Sequence, residues 1–282
     1  MKKIISIISI TVLAVCILSG CGGGGGGDEV TVISREDGSG TRGAFIELTG
    51  IEEKDADGNK KDMTTKEAVI ANRTDVMITN VANDPNAIGY VSLGSLNSSV
   101  KAVNINGVKP NAANIKNGSY VISRPFNIAT KGAPGELAGD FIDFIMSAEG
   151  QEIVSNGYIA VDESAAPFDG KKPAGKLVIA GSSSVSPVME KLAEAYMEMN
   201  SGADIQIQTS DSTTGVNSAI EGIADIGMAS RDLKESELAE LSGLAIAVDG
   251  IAVIVNKGNS LENLELETVR QLFTGEITTW EL

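Results

Sequence analysis

Three segments of this sequence place hydroxyl side chains and glycine just ahead of a helix-like stretch: Ser39-Gly40-Thr41, Ser182-Ser183-Ser184 and Ser212-Thr213-Thr214-Gly215. The chemistry such turns offer is the capture of an oxyanion. A helix start carries unpaired N–H groups and partial positive charge, and the hydroxyls add further donors. Converged, three such turns would enclose an anion, although each alone also reads as an ordinary helix cap. The most specific stretch is Arg35-Glu36-Asp37-Gly38-Ser39-Gly40-Thr41-Arg42. Its glycines permit a tight turn and close backbone approach, and Arg35 could present a planar fork to two oxygens. The Gly-Lys-Ser/Thr ending of a Walker loop is missing, so nothing here requires a nucleotide.

Composition removes several other chemistries. The 282 residues contain no histidine, two cysteines and one tryptophan, which takes away the usual general base, the Ser/His/Asp triad and nearly all zinc sites. Each abundant serine lacks a nearby base, so no enzyme, no metal site and no cofactor is expected. With 38 acidic against 22 basic side chains the net charge is −16, which argues against a nucleic-acid partner and against direct attraction to an anionic membrane surface. Any bound anion must therefore be held by local groups.

The elements that would position these turns alternate along the chain. Hydrophobic content of 42% with 21% charged residues is ordinary for a globular protein able to bury a full core. Strands are expected at Val30–Ser34, Lys176–Ala180, Asp204–Gln208, Leu244–Val248 and Ile251–Val255, all rich in Val and Ile. A helix is expected over Pro187–Met199, with Val188, Leu192, Tyr196 and Met199 on one stripe and Ser186 as its cap, and another over Gly139–Val154. This alternation argues for an α/β architecture with helices on both faces of parallel or mixed sheets. Asp162–Gly175, with Pro167, Pro173 and clustered Ala, Gly and Lys, reads as a linker.

The N-terminus speaks to location. Lys2 and Lys3 precede an apolar run from Ile4 to Leu18, too short to span a bilayer and laid out as a secretory signal. It ends in Leu18-Ser19-Gly20-Cys21, which resembles the lipobox of bacterial lipoproteins, where cleavage precedes the cysteine and the cysteine is acylated. Removing residues 1–20 deletes two lysines, no acid and Cys16, leaving a charge of −18 and no internal disulfide. Gly22–Gly27 would then be a tether reaching about 15 Å root-mean-square, and the protein a lipid-anchored one on the extracytoplasmic face of the cell membrane.

Taken together, these residues resemble the phosphate-binding lipoproteins of bacterial ABC importers. The resemblance rests on Val32–Arg42, on Ala180–Pro187 and on Asp211–Gly215, which look like that family's phosphate loops. Ile226–Arg231, Ala247–Val253, Phe273–Trp280, Ala87–Val91 and Ser123–Phe126 also fit. The motif order differs from the family's: there the Ser183 loop opens the mature protein and the Arg35 loop follows the Trp280 segment. The resemblance thus implies a circular permutant, with a truncated tandem gene as the competing account.

The family's fold implies a two-lobed, periplasmic-binding-protein-like (type II) α/β chain with the ligand in the cleft between lobes. One lobe would comprise 28–119 and 256–282 and carry the Arg35 loop; the other, 120–255, would carry the Ser183, Ser212 and Asp249 loops. The C-terminal helix around Thr268–Phe273 should pack beside the N-terminal strand. Motif matching implies Arg35, Ser39, Gly40 and Thr41 on one side of inorganic phosphate and Ser183, Ser184, Ser212 and Ser230 on the other. The family's proton-accepting aspartate aligns with Ser230, so Asp249 is the expected replacement, with Asp211 and Asp232 as alternates and a plain Asp-Gly hairpin turn as the structural alternative. The implied partners are the permease subunits of an importer and, through acylated Cys21, the bilayer; the protein is expected as a monomer. A sulfate or molybdate receptor, a phosphate-ester enzyme, and an envelope sensor or adhesin are the competing functions.

Overall fold

The computed structural model describes residues 28–281. The expected signal, the expected acylation site Cys21 and the expected glycine tether lie outside these residues. The main sheet runs in the order Ala203–Ser210, Gly175–Ser182, Ile226–Ala229, Ser123–Thr130, Ser242–Asn256, Ala87–Ser92, Thr31–Arg35, Val69–Ala71. Pairing is parallel toward both ends and antiparallel in the middle, so the expected α/β class with a mixed sheet holds.

One strand joins two cores. Ser242–Gly250 pairs with Ser123–Thr130, whereas Ile251–Val255 pairs with Ala87–Ser92. Ile246 and Ala247 pack with Phe126, Phe141, Phe144, Leu192 and Tyr196, while Ile251, Val253 and Val255 pack with Phe45, Tyr90, Ile122 and Phe273. The expectation of two strands around an Asp-Gly turn is corrected: a single strand, Ser242–Asn256, carries Asp249 and Gly250 straight through the joint between lobes. Asp249-Gly250 interrupts the apolar run, which is why the two halves read as separate strands in the sequence; in the fold both residues are buried and the strand runs on. Tyr120, Ile122, Ile251, Val253 and Val255 pack in one core with Phe45, Tyr90 and Phe273, whereas Ala252 and Ile254 pack with Ile33, Met77 and Val81.

Ser186–Met199 forms the expected helix, with Val188, Leu192 and Tyr196 buried; Ser186 stands inside its first turn, after Val185 as cap. Gly139–Val154 divides into Glu136–Ile145 and Ala148–Ser155, because Ser147 stops the first helix by donating to the Phe144 carbonyl and caps the second by accepting from the Gly150 N–H. Asp162–Gly175 has no helix or strand before Gly175, yet it is a fastened strap. Asp140 accepts from the N–H groups of Lys171 and Lys172, and Phe168 packs edge-on against Phe144.

The two ends of the described chain meet. The Val30 N–H donates to the Thr278 carbonyl at 2.8 Å, the Trp280 N–H to the Asp28 carbonyl at 3.0 Å, and the Trp280 indole N–H to the Asn86 carbonyl at 3.1 Å. The helix Leu266–Thr274 sends Phe273 against Phe45 and Tyr90, which are themselves stacked at 3.9 Å. Among the described residues no helix is long and apolar enough to cross a membrane.

Candidate functional site

Each of the three hydroxyl turns lies at the C-terminal end of a parallel strand and leads into a helix, the position at which open α/β sheets hold ligands. The strand Thr31–Arg35 ends with the Ser34 hydroxyl and Arg35 N–H both bonded to the Tyr90 hydroxyl, at 2.9 and 3.1 Å. Ser39 then caps the helix Gly40–Leu48 by accepting from the Arg42 N–H. Gly175–Ser182 leads through Ser183 and Ser184 into Ser186–Met199, and Ala203–Ser210 leads through Asp211, the cap, into Ser212–Ile220.

Two glycines make these approaches possible. Gly181 has φ +136°, and a Cβ there would fall 2.4 Å from the Met228 carbonyl oxygen. At Gly40 a Cβ would fall 2.4 Å from Ser212 Oγ and 2.8 Å from Ser230 Oγ. The start of the Arg35-lobe helix is therefore pressed onto the hydroxyls of the opposite lobe.

The buried Arg35 guanidinium is the cationic centre. Its Nη2 donates to Ser183 Oγ at 3.1 Å, its Nη1 to Thr74 Oγ1 at 3.3 Å and its Nε to the Ala71 carbonyl at 3.2 Å. Glu36 takes the Nε and Nη2 edge with both carboxylate oxygens at 2.7 Å, which holds the fork in one orientation. Thr41 Oγ1 lies 2.8 Å from Ser184 Oγ. Ser182 donates to Ser230 Oγ at 2.9 Å, Ser212 Oγ lies 3.3 Å from Ser230 Oγ, and the Ser230 N–H donates to Ser212 Oγ at 3.0 Å. Thr213 reaches across to the Gly38 carbonyl with its N–H and hydroxyl, both at 3.2 Å.

The structure thus brings Arg35, Ser39, Gly40 and Thr41 of one lobe against Ser183, Ser184, Ser212 and Ser230 of the other, and all but the exposed edges of these turns are buried. Beside the cluster lies a cavity of about 660 Å³ whose lining includes Thr74, Ser95, Ser183, Ser186 and Thr209.

Thr74 is the member that the sequence analysis missed. It starts the helix Thr74–Asn83 and bridges Arg35, Ser183 and Ser184. The signal was present, since Val69–Ala71, Asn72-Arg73-Thr74 and an apolar helix repeat the strand, turn and helix design a fourth time. Glu36, read only as part of the loop, proves to be the carboxylate bonded to Arg35.

Asp249 bonds to side chains outside the cluster. One carboxylate oxygen accepts from Ser92 Oγ at 2.8 Å and the other from Arg124 Nη2 at 3.1 Å, with both charged side chains buried. Burial pushes its carboxyl up to about 6, against the opposing pull of Arg124 and Ser92. Asp211 spends its carboxylate on capping Thr214, and Asp232 meets Arg231 through its backbone carbonyl.

A family model described as a PBP superfamily domain matches residues 17–149 and 167–282. The phosphate-binding protein PstS 2 of Streptococcus agalactiae serotype V is 50% identical over 285 residues, covering 99% of this chain and 97% of its own. The crystal structure of a phosphate-binding protein of a phosphate ABC transporter from Streptococcus pneumoniae TIGR4 superposes with a TM-score of 0.71 at 45% identity, covering 90% of this chain and 99% of that one. The phosphate-binding protein PstS of Bacillus subtilis is 34% identical over 114 residues, 39% of this chain and 38% of its own.

Proposed function

This chain belongs to the PstS family of phosphate-binding proteins within the PBP superfamily, and from that premise we infer that it captures inorganic phosphate between its lobes and delivers it to an ABC importer. The observation that carries the reading is the convergence of Arg35 with hydroxyls from four helix starts belonging to both lobes. An entering anion replaces hydroxyl-to-hydroxyl bonds such as Thr41–Ser184 with stronger charge-assisted ones, and it draws the lobes together because its donors come from both. In this reading Arg35, Ser39, Gly40, Thr41, Thr74, Ser183, Ser184, Ser212 and Ser230 surround the phosphate. Local donors and helix starts overcome the net charge, −18 once residues 1–20 are removed.

A sulfate or molybdate receptor would use the same hydroxyls. Phosphate is favoured because Glu36 puts a carboxylate beside Arg35. An anion that still carries a proton can donate to such an acceptor, and a fully ionised one cannot. Calorimetric titration with phosphate, sulfate and molybdate tests this. Phosphate should bind with a stoichiometry of one and more tightly than either rival by at least tenfold, and tighter sulfate binding overturns the assignment.

The same reading takes Cys21 as the acylated residue and Gly22–Gly27 as the tether that holds a monomeric receptor at the extracytoplasmic membrane face, near the permease subunits. It also takes the chain as circularly permuted relative to part of its family. In support, PstS 2 of Streptococcus agalactiae matches across nearly its whole length, whereas the Bacillus subtilis relative matches over about two fifths, as expected when only one block of motifs is collinear.

A further inference from the structure

Among the described residues, the buried side-chain atoms without a hydrogen-bond partner are Ser95 Oγ, Tyr158 OH, and Arg124 Nε and Nη1. They gather at the joint between lobes. Arg124 and Asp249 face each other on the two antiparallel strands there, and Arg124 uses only Nη2 on its partner carboxylate. The Tyr158 hydroxyl lies against the loop that holds Ser95, where a Cβ on Gly94 would fall 2.6 Å from it. The Arg124 guanidinium also rests 5.4 Å from the Phe126 ring centroid, which fixes its plane without using its N–H groups.

This knot is adjacent to the phosphate cluster. Ser92, which bonds Asp249, ends the strand Ala87–Ser92, and that strand pairs in parallel with Thr31–Arg35 through Thr31–Ala87 and Val32–Ile88. Tyr90, two residues before Ser92 on that strand, bonds Ser34 Oγ and the Arg35 N–H through its hydroxyl, and Ser95 lines the cavity beside the cluster together with Thr74 and Ser183. Burial pulls the Arg124 guanidinium below the ordinary arginine value, Asp249 opposes that pull, and the positive charge of Arg35 adds to it. A buried cation whose donors have no partner among the protein's own groups needs an acceptor, and charged groups are the costliest to leave unmet.

We propose that Arg124 is a second anion-recognising arginine, supplied by the joint rather than by either lobe, and that Asp249 is its counter-ion. The spare N–H groups serve the oxyanion seated beside Arg35, so that binding is sensed on the very strands that must bend when the lobes move. The proposal rests on the phosphate reading above.

The test is calorimetric phosphate titration of the native protein, Arg124→Gln, Asp249→Asn and the double variant. The double variant leaves no unpaired buried charge and keeps the test open if a single variant fails to fold. A charge that acts on the ligand gives opposite signs: Arg124→Gln should weaken phosphate binding at least tenfold, and Asp249→Asn should tighten it by about threefold or more. The double variant should bind at least threefold more weakly than native. A purely structural pair would weaken both single variants alike, and that result, or unchanged affinity in Arg124→Gln or the double variant, overturns the proposal. A native protein that binds no phosphate overturns the functional reading itself, and this inference with it.

Discussion

Thr41 Oγ1 and Ser184 Oγ stand 2.8 Å apart although 143 residues separate them in the chain. One belongs to the first turn of Gly40–Leu48, the other to the loop ahead of Ser186–Met199, and each helix is rooted in a different core. Contact between lobes therefore runs through neutral hydroxyls and the Gly38 carbonyl, with Arg35 a cation among them. Replacing Arg35 by Ala should weaken phosphate binding by at least tenfold, about 1.4 kcal/mol or more. Calorimetry that finds the affinity unchanged removes Arg35 from the site.

Gly40 separates binding from folding. A methyl group at this position would meet the hydroxyls of Ser212 and Ser230 and the side chain of Arg231, all on the opposite lobe. Gly40→Ala should leave the thermal midpoint without phosphate within a few degrees of native while lowering phosphate affinity by roughly tenfold or more, since overpacking costs about 1–3 kcal/mol. Normal affinity in that variant would show that the two loops do not approach during binding.

The joined ends make a stability prediction. Phe273 is buried against Phe45 and Tyr90, so Phe273→Ala should cost about 3–5 kcal/mol in denaturant unfolding. Deleting 264–282 should abolish the Arg35 lobe and phosphate binding with it. A soluble deletion product of normal affinity would contradict the arrangement in which both ends build one lobe.

Asp249 supplies a pH signature. Burial lifts its carboxyl from 3.8 to about 6, so between these values the native state binds more protons than the unfolded chain. Its contribution to stability accordingly falls as pH rises from about 4 to 6, by up to about 3 kcal/mol. Asp249→Asn should remove that decline. Unfolding free energies whose difference between native and variant stays constant over this window would show that the carboxylate does not titrate there.

Much of this was legible in the sequence because the determinants are local. Hydroxyl turns at Ser39, Ser183 and Ser212 announce strand-to-helix junctions, and the Val- and Ile-rich runs announce the strands. Harder to read were features set by tertiary partners. Asp249-Gly250 has the composition of a turn, yet the strand continues because Arg124 and Ser92 neutralise the buried carboxylate. Ser147 splits a helix whose apolar pattern runs on unbroken, and Thr74 joins the site only because the sheet sets Val69–Ala71 beside Thr31–Arg35.

The most direct test of the central claim is equilibrium dialysis of the protein against radiolabelled phosphate at micromolar concentration, with and without a hundredfold excess of unlabelled sulfate. The account requires close to one phosphate retained per chain, and retention that survives the sulfate. A chain that retains none, or that gives up its phosphate to sulfate, contradicts it.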